Sequence, residues 1–417
     1  MSVVAPARRP YLRVLRHPVL RRFLPAVLLS AFGDGMSFVA VAWLAVQLAP
    51  ADQRGVWTGL SVAAYALPAT LGAALLGPLV RRFDGARLVA VDSVLRAAML
   101  GAVAVLAVTH LLTPVLYVAL LAVSSLLHAW GNAGVYTLVA EELDEDDRVT
   151  GNALVSSVQQ ASFVIGPALA GLVTAVAGPG WVIGADAVTF AFLAVTCVGI
   201  VRSRPPRMLP PARGSGAWRT LRAHPQLLAL IGVTCVFFFL YGPVEVAMPV
   251  HIADELHGSA GLLGGYVAAY GVGTVFGSLG AGLLRRLPLW PVIAAIVIGW
   301  GLCLLPSGLA AAVAPGMIGF GVGGFVYGPF TAICTALFQR SAPAEHLSQV
   351  LAFRGALISP AAALGTLVGG PLVGAIGGRR TLLVSALTTI LFGVLLALAT
   401  LPTWRRRDRP TPEQVSP

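Results

Sequence analysis

The sequence has no lysine, and all 28 of its basic residues are arginine. A phosphate-binding loop of the form GxxxxGK[ST] therefore does not exist, and the motifs HExxH, CxxC and GxSxG are missing as well. These absences argue against ATP-driven transport within this chain and against hydrolase chemistry, so we predict no catalytic residue, no metal and no cofactor. The four cysteines lie singly within apolar runs, as small core residues do: Cys197, Cys235, Cys303 and Cys334.

Charged residues are also scarce. They make up 11% of the chain against 57% hydrophobic residues, and the mean hydropathy is +0.84. Soluble domains carry about 25% charged residues, so the composition predicts a protein embedded in a lipid bilayer. The net charge of +11 comes from arginines spread over short loops, which argues against nucleic acid as a partner. Exclusive use of arginine is typical of a GC-rich, bacterial genome and favours a bacterial plasma membrane.

Twelve apolar runs are long enough to cross a bilayer as helices. The first is too long for a signal peptide and lacks a small-residue cleavage site, so we expect a permanent span. The fold class predicted is an all-α membrane protein, with spans 1 to 12 near 23–48, 56–80, 88–109, 114–138, 153–177, 180–201, 226–251, 260–284, 289–309, 312–338, 350–376 and 381–402.

The arginines predict the orientation of these spans. If the N-terminus is cytoplasmic, 24 arginines fall on the cytoplasmic side, three fall outside, and Arg96 lies within span 3. Basic residues are enriched in cytoplasmic loops, and acidic residues count little in that rule. We therefore expect both termini in the cytoplasm.

Three landmarks recur in the same order in the two parts of the chain. RVLRHP and RTLRAHP each precede an apolar run, a pair of arginines follows spans 2 and 8, and residues 153–171 align without gaps with 352–370. This order indicates duplication of a six-helix unit. The predicted divisions are an N-terminal half (1–201), a cytoplasmic linker (202–225) and a C-terminal half with a cytoplasmic tail (226–417).

Twelve spans in two parallel halves with a long basic central loop resemble the major facilitator superfamily. The resemblance extends from about Arg8 to Trp404 and looks closest to the bacterial twelve-helix drug and siderophore exporters. It implies two pseudo-symmetric six-helix bundles, a monomer, and transport of a small molecule driven by the proton gradient.

The loop GPLVRRFDGARL, residues 77–88, is similar to the family motif between helices 2 and 3. In the family this loop is a conformational latch whose acidic residue pairs with neighbouring charges. Here arginine stands at the acidic position, so Asp84 is the substitute candidate, and a plain positively charged turn is the alternative. The motif residues are Gly77, Leu79, Arg81, Arg82, Asp84 and Arg87.

Span 5 carries a softened form of the family's antiporter signature. Small residues four or five apart let helices approach closely and proline bends a helix, so this pattern favours an exporter over an importer. Ordinary small-residue packing is the alternative. The residues are Ala153, Ser162, Gly166, Pro167, Ala170 and Gly171, with Gly365, Gly369 and Gly370 as counterparts in span 11.

Asp34 is the single charge in its apolar run. It lies eleven residues in, about 16 Å deep at 1.5 Å per residue, where an ionisable group is costly unless it faces protein or water. We predict that it faces a wet cavity and exchanges a proton or a cationic substrate; a structural carboxylate bonded to serine or backbone groups is the alternative. Glu245 in span 7 and His128 in span 4 are further candidates.

Asp92 and Arg96 are four residues apart on one helix, which predicts a structural ion pair. Asp186 is expected to have a packing or capping role. Span 4 contains no arginine, so the arginine motif that the family carries there is missing. Aromatic residues expected to line the cavity, or otherwise to pack in the core, are Phe38, Trp130, Phe238, Tyr241 and Tyr327.

The function predicted is a proton-coupled exporter of a small amphipathic or cationic molecule. An importer, a uniporter or a lysolipid flippase on the same fold is an alternative, and so is a non-transporting membrane sensor or scaffold. The sequence does not identify the substrate.

Overall fold

The twelve apolar runs all form helices in the computed structural model, which describes residues 10–76, 83–203, 221–284, 287–341 and 344–407. Span 4 consists of two helices, Pro114–Ser125 and His128–Glu142. A short helix, Pro10–Arg16, precedes span 1, and two further short ones lie at Ala51–Gln53 and Ala281–Leu284. The other spans are Leu20–Leu48, Arg54–Leu75, Gly85–Val108, Glu145–Ala177, Pro179–Arg202, Pro225–Asp254, Ala260–Leu279, Leu289–Leu309, Val313–Ser341, Ala344–Ile376 and Gly378–Arg407.

The helices pack in equivalent pairs in the two parts of the chain. Span 1 contacts spans 5 and 6 as span 7 contacts spans 11 and 12; spans 3 and 6 pair as spans 9 and 12 do, and spans 2 and 4 as spans 8 and 10 do. The fold class, an all-α membrane protein of two six-helix bundles, is confirmed. The limits placed around the linker 202–225 stay a prediction, since 204–220 lie outside the described residues.

The break in span 4 sets the position of His128. Ser125 ends the first helix, and its hydroxyl donates to the carbonyl oxygen of Ala64 in span 2 at 2.9 Å. Leu126 and Leu127 then form a turn. The carbonyl oxygen of Leu126 packs against Gly72, which has no Cβ to block it. His128 therefore begins the second helix with span 2 close by.

The two bundles meet closely at one end, where span 1 ends and span 2 begins; we call this the distal end, opposite the chain termini. A Cβ on Gly59 of span 2 would lie 2.9 Å from the Cα of Gly370 in span 11, so the two backbones touch. Gly171 of span 5 approaches Gly261 of span 8 in the same way. These contacts close the distal end with backbone against backbone.

Candidate functional site

Two glycines flank Asp34 and let other spans approach span 1 on either side of it. A Cβ on Gly33 would lie 2.6 Å from the hydroxyl oxygen of Thr189 in span 6. A Cβ on Gly35 would collide with the backbone of Ser162 in span 5. Because both neighbours occupy those directions, the Asp34 side chain is left to face spans 2 and 3.

Asp34 accepts hydrogen bonds from two other spans. Arg96 of span 3 donates from Nη1 to Oδ2 at 3.0 Å, and its Nη2 lies 2.9 Å from Oδ1. The Tyr65 hydroxyl of span 2 donates to Oδ1 at 2.7 Å and accepts from Arg96 Nη2 at 2.7 Å. A carboxylate that contacts both guanidinium nitrogens forms a strong, oriented pair, so three spans are joined at one residue.

Arg96 is enclosed while its partner is not. Its side chain is 1% exposed, whereas that of Asp34 is 31% exposed. The guanidinium stacks 4.4 Å from the ring centre of Phe190, and its Nη1 lies 2.9 Å from Nδ1 of His128, which therefore accepts. His128, a predicted site residue, is thus brought to the Asp34 site by an arginine of span 3 and not by one of span 4.

The predicted ion pair between Asp92 and Arg96 is not formed. Among the described residues, the guanidinium of Arg96 pairs with Asp34 instead, and Asp92 Oδ1 has no hydrogen-bond partner. The i,i+4 spacing allows a pair but does not require one. Asp34 presents two oxygens to the guanidinium together with the Tyr65 hydroxyl, and this arrangement holds Arg96 away from its neighbour on the same helix.

Asp186 belongs to the same region, which the sequence did not indicate. It is fully buried, accepts from the Ser37 hydroxyl at 2.6 Å and accepts from Thr189 at 3.3 Å. Ser37 lies one turn from Asp34 on span 1. The Asp186 carboxylate also lies against Gly33, the residue before Asp34, so the expected packing role describes only part of its surroundings.

A cavity of about 40 Å³ lies between the bundles, in their distal half. Among the described residues that line it, Glu245 is the one that is charged, and Phe38 and Tyr241 also lie on the wall. Glu245 Oε2 accepts from the hydroxyl of Thr366 at 3.1 Å. The remaining wall is apolar: Val39, Ala42, Val62, Val244, Met248, Pro249, Leu263, Val267 and Phe320.

The other three predicted cavity aromatics lie outside this wall. The indole of Trp130 donates to the carbonyl oxygen of Gly72 at 3.0 Å and joins spans 4 and 2. Phe238 packs edge-on against Phe237, which stacks on Tyr327 with ring centres 6.0 Å apart. Phe238 and Tyr327 pack against the hydrophobic core of the second bundle. A role of any of the three aromatics in lining the substrate path stays a prediction.

The small-residue ladder of span 5 has two kinds of neighbour. A Cβ on Gly166 would lie 2.6 Å from the carbonyl carbon of Gly35, so Gly166 packs on span 1 of its own bundle. Gly171 and Pro167 contact span 8 of the other bundle, through Gly261 and Gly264. In span 11, Gly365 and Gly369 pack on span 7, and Gly370 packs on span 2.

The loop motif is described only at its end. Asp84 caps span 3 by accepting from the backbone N–H of Arg87 at 2.8 Å, and the side chains of these two residues lie 3.7 Å apart. Gly77, Leu79, Arg81 and Arg82 lie outside the described residues. Whether the loop is a latch stays a prediction.

Similarity to known proteins agrees with this architecture. A family model described as Major Facilitator Superfamily matches residues 23–323 and 244–417. The chain belongs to this superfamily. It is accordingly a multi-pass membrane protein of a transporter family whose members bind small-molecule substrates within the membrane.

Several relatives of the chain have named functions. The chain is 29% identical over 404 residues to the multidrug efflux pump Tap of Mycobacterium tuberculosis, covering 92% of this chain and 93% of that protein. It is 24% identical to macrolide efflux protein A of Streptococcus pyogenes, covering 87% and 93%. A bacterial homologue of the human lysosomal transporter Spinster, solved inward-facing and unoccupied, superposes with a TM-score of 0.70 at 12% identity, covering 95% and 99%.

Proposed function

We propose that this superfamily member is a proton-coupled exporter of small amphipathic or cationic molecules in a bacterial plasma membrane, with both termini in the cytoplasm. The names of the relatives, a multidrug efflux pump and a macrolide efflux protein, support export of drug-like molecules. The arginine distribution supports the orientation, because basic residues collect on the cytoplasmic side. In that orientation the distal end faces outward, and the structure is closed to the outside.

The ion pair between Asp34 and Arg96 carries the proposal for proton coupling. Asp34 is partly exposed, so a proton can reach it, whereas Arg96 is enclosed and always charged. Protonation of Asp34 removes the negative charge that holds Arg96, so it loosens the contact between spans 1 and 3. Loss of that proton restores the pair. A titratable group that joins two helices only while it is deprotonated can couple proton movement to a conformational change.

The cavity supports the substrate class. Its wall is apolar and aromatic except for Glu245, which suits a molecule with an apolar body and a positive charge. At about 40 Å³ it is too small for a drug-sized ligand, since such ligands occupy pockets of about 300–1,000 Å³. The bundles must therefore move apart for substrate to bind.

The test uses everted membrane vesicles that contain the full chain, a fluorescent lipophilic cation and a basic macrolide as probes, and an imposed proton gradient. Uphill accumulation is expected for the parent chain and should vanish in Asp34→Asn, which keeps the shape and hydrogen bonding of the side chain but cannot titrate. Downhill movement should survive. Asp52→Asn, an exposed acid of the distal loop, is the matched control.

Other outcomes identify the alternatives. Gradient-driven loss of probe from the vesicles would indicate an importer, and gradient-independent equilibration a uniporter. Movement of a labelled lysolipid in place of both probes would indicate a flippase. A chain that moves none of them while inserted and folded would fit a sensor or scaffold.

A further inference from the structure

Asp92 is a buried carboxylate without a partner at one of its oxygens. The residue is 4% exposed, and Oδ1 has no hydrogen-bond partner among the described residues. The carboxylate lies against span 4, in the place that a Cβ on residue 131 would occupy, so Gly131 is what admits it. A buried carboxylate with an unused oxygen is costly unless it is neutral or has a cation within reach.

A cation is within reach on the same helix. Asp92 and Arg96 are one helical turn apart, at the i,i+4 spacing that lets an acid and an arginine meet by side-chain rotation alone. The Nε atom of Arg96 also has no hydrogen-bond partner among the described residues. Both members of the pair that the sequence predicts are therefore only partly satisfied in the arrangement observed.

The other ionisable groups around this pair come from four spans. Asp34 of span 1 and Tyr65 of span 2 bind Arg96, and His128 of span 4 accepts from it. Asp186 of span 6 already accepts from Ser37 and Thr189. Of the carboxylates in this region of the described structure, Asp92 is the one with an unoccupied oxygen.

We propose that Asp92 is the second partner of Arg96, which pairs with Asp34 when Asp34 is charged and with Asp92 when Asp34 is protonated. The inference rests on the proposed function, in which Asp34 gains and loses the proton. Asp92 is then a positioning residue. It gives the buried guanidinium an anion in both states, so protonation of Asp34 does not leave an unpaired charge in the membrane.

The exchange has a direction. Asp92 is one turn nearer than Arg96 to the end of the bundle that carries the termini, so the guanidinium moves away from the distal cavity when it leaves Asp34. The one covalent change is the O–H bond that Asp34 forms with the incoming proton, and this proton accounts for the change in charge. Span 1 is released from span 3 while span 3 keeps its own ion pair.

Asp92→Asn in the full chain tests this in everted vesicles, with efflux of the lipophilic cation measured as a function of the pH at the distal face. Without Asp92, protonation of Asp34 removes the one remaining anion that pairs with Arg96 in the proposed exchange. Half-maximal efflux is therefore expected at a proton concentration about tenfold higher than in the parent chain. Asp92→Glu should restore the parent profile. Gly131→Ala keeps every ionisable group but displaces the Asp92 carboxylate, so it should shift the profile in the same direction.

Two results would overturn the role of Asp92 and leave the proposed function standing. The first is a parent pH profile in a folded Asp92→Asn protein. The second is an equal loss of efflux at every pH that Asp92→Glu does not restore. The second is what a purely structural role gives. If Asp92→Asn fails to fold, the pH profiles of Gly131→Ala and Asp92→Glu test the inference instead. A shifted profile in Gly131→Ala and a parent profile in Asp92→Glu are then the expected results. Uphill efflux by Asp34→Asn would instead overturn the proposed function, and this inference with it.

Discussion

Arg96 on span 3 contacts both carboxylate oxygens of Asp34 on span 1, although 62 residues separate them in the chain. Arg96 is enclosed and Asp34 is partly exposed, so one member of the pair is fixed in charge and the other is open to titration. The membrane makes this relationship strong, because the enclosed guanidinium of Arg96 cannot exchange its partner for bulk water.

The pair predicts a pattern of stability in single and double variants. Arg96→Gln leaves Asp34 without its cation, whereas in Asp34→Asn the guanidinium can turn to Asp92. Removal of one partner of a buried pair costs about 3–5 kcal/mol, whereas removal of both costs much less. In thermal unfolding of detergent-purified protein, the double variant should be more stable than Arg96→Gln alone. Additive losses would show that the two residues are not energetically coupled.

The sequence predicted the spans, because hydropathy is a local property of the chain. It did not predict the partner of Arg96, because i,i+4 spacing indicated Asp92, whereas the choice depends on how spans 1, 2 and 3 pack. For the same reason Tyr65 was missed, and Asp186 was assigned only a packing or capping role. One signal was present: an arginine within an apolar span must have an anion, and Asp34 lies at a similar depth.

Glu245 predicts selectivity for charge. In Glu245→Gln the cavity keeps its shape but loses its negative charge, so affinity for a cationic probe should fall roughly tenfold, or ~1.4 kcal/mol, while affinity for an uncharged analogue of similar size stays unchanged. Equilibrium binding to purified protein measures both. Thr366→Val, which removes the hydroxyl that donates to Glu245 but keeps the charge, is the matched control. Equal losses for both probes would assign Glu245 to packing.

The close packing of Gly166 on span 1 predicts that a larger side chain there would disturb the first bundle. Gly166→Leu would place a side chain where the backbone of Gly35 lies, so spans 1 and 5 must separate and Asp34 must move with span 1. We expect loss of uphill efflux and a destabilisation of about 1–3 kcal/mol, as in overpacked cores. Gly199→Leu is the control, because no atom lies within 4 Å of a Cβ there. Coupled efflux at the parent rate by Gly166→Leu would refute the requirement for close packing.

The arginine distribution predicts topology. Reporter fusions after Arg409 and within residues 202–225 should both show cytoplasmic activity, because 24 arginines fall on the cytoplasmic side in the proposed orientation. A fusion after Asp52, in the loop between spans 1 and 2, should show the opposite response. Periplasmic activity of either of the first two fusions would reverse the assignment of the distal end.

The contacts that close the distal end predict how fast a reagent from outside reaches the cavity. Arg54 of span 2 and Asp254 of span 7 form an ion pair that joins the two bundles at the distal end. Both side chains are about one-third exposed, and pairs of this kind contribute up to about 1 kcal/mol. In Asp254→Asn the distal opening should therefore be populated up to about fivefold more. A cysteine at Val62 on the cavity wall, in a chain without the native cysteines, should then react faster with a water-soluble thiol reagent applied to the outside. Glu255→Gln is the matched control, because Glu255 pairs with Arg379 within one bundle. Equal labelling rates in Asp254→Asn and Glu255→Gln would mean that the glycine contacts alone hold the distal end closed.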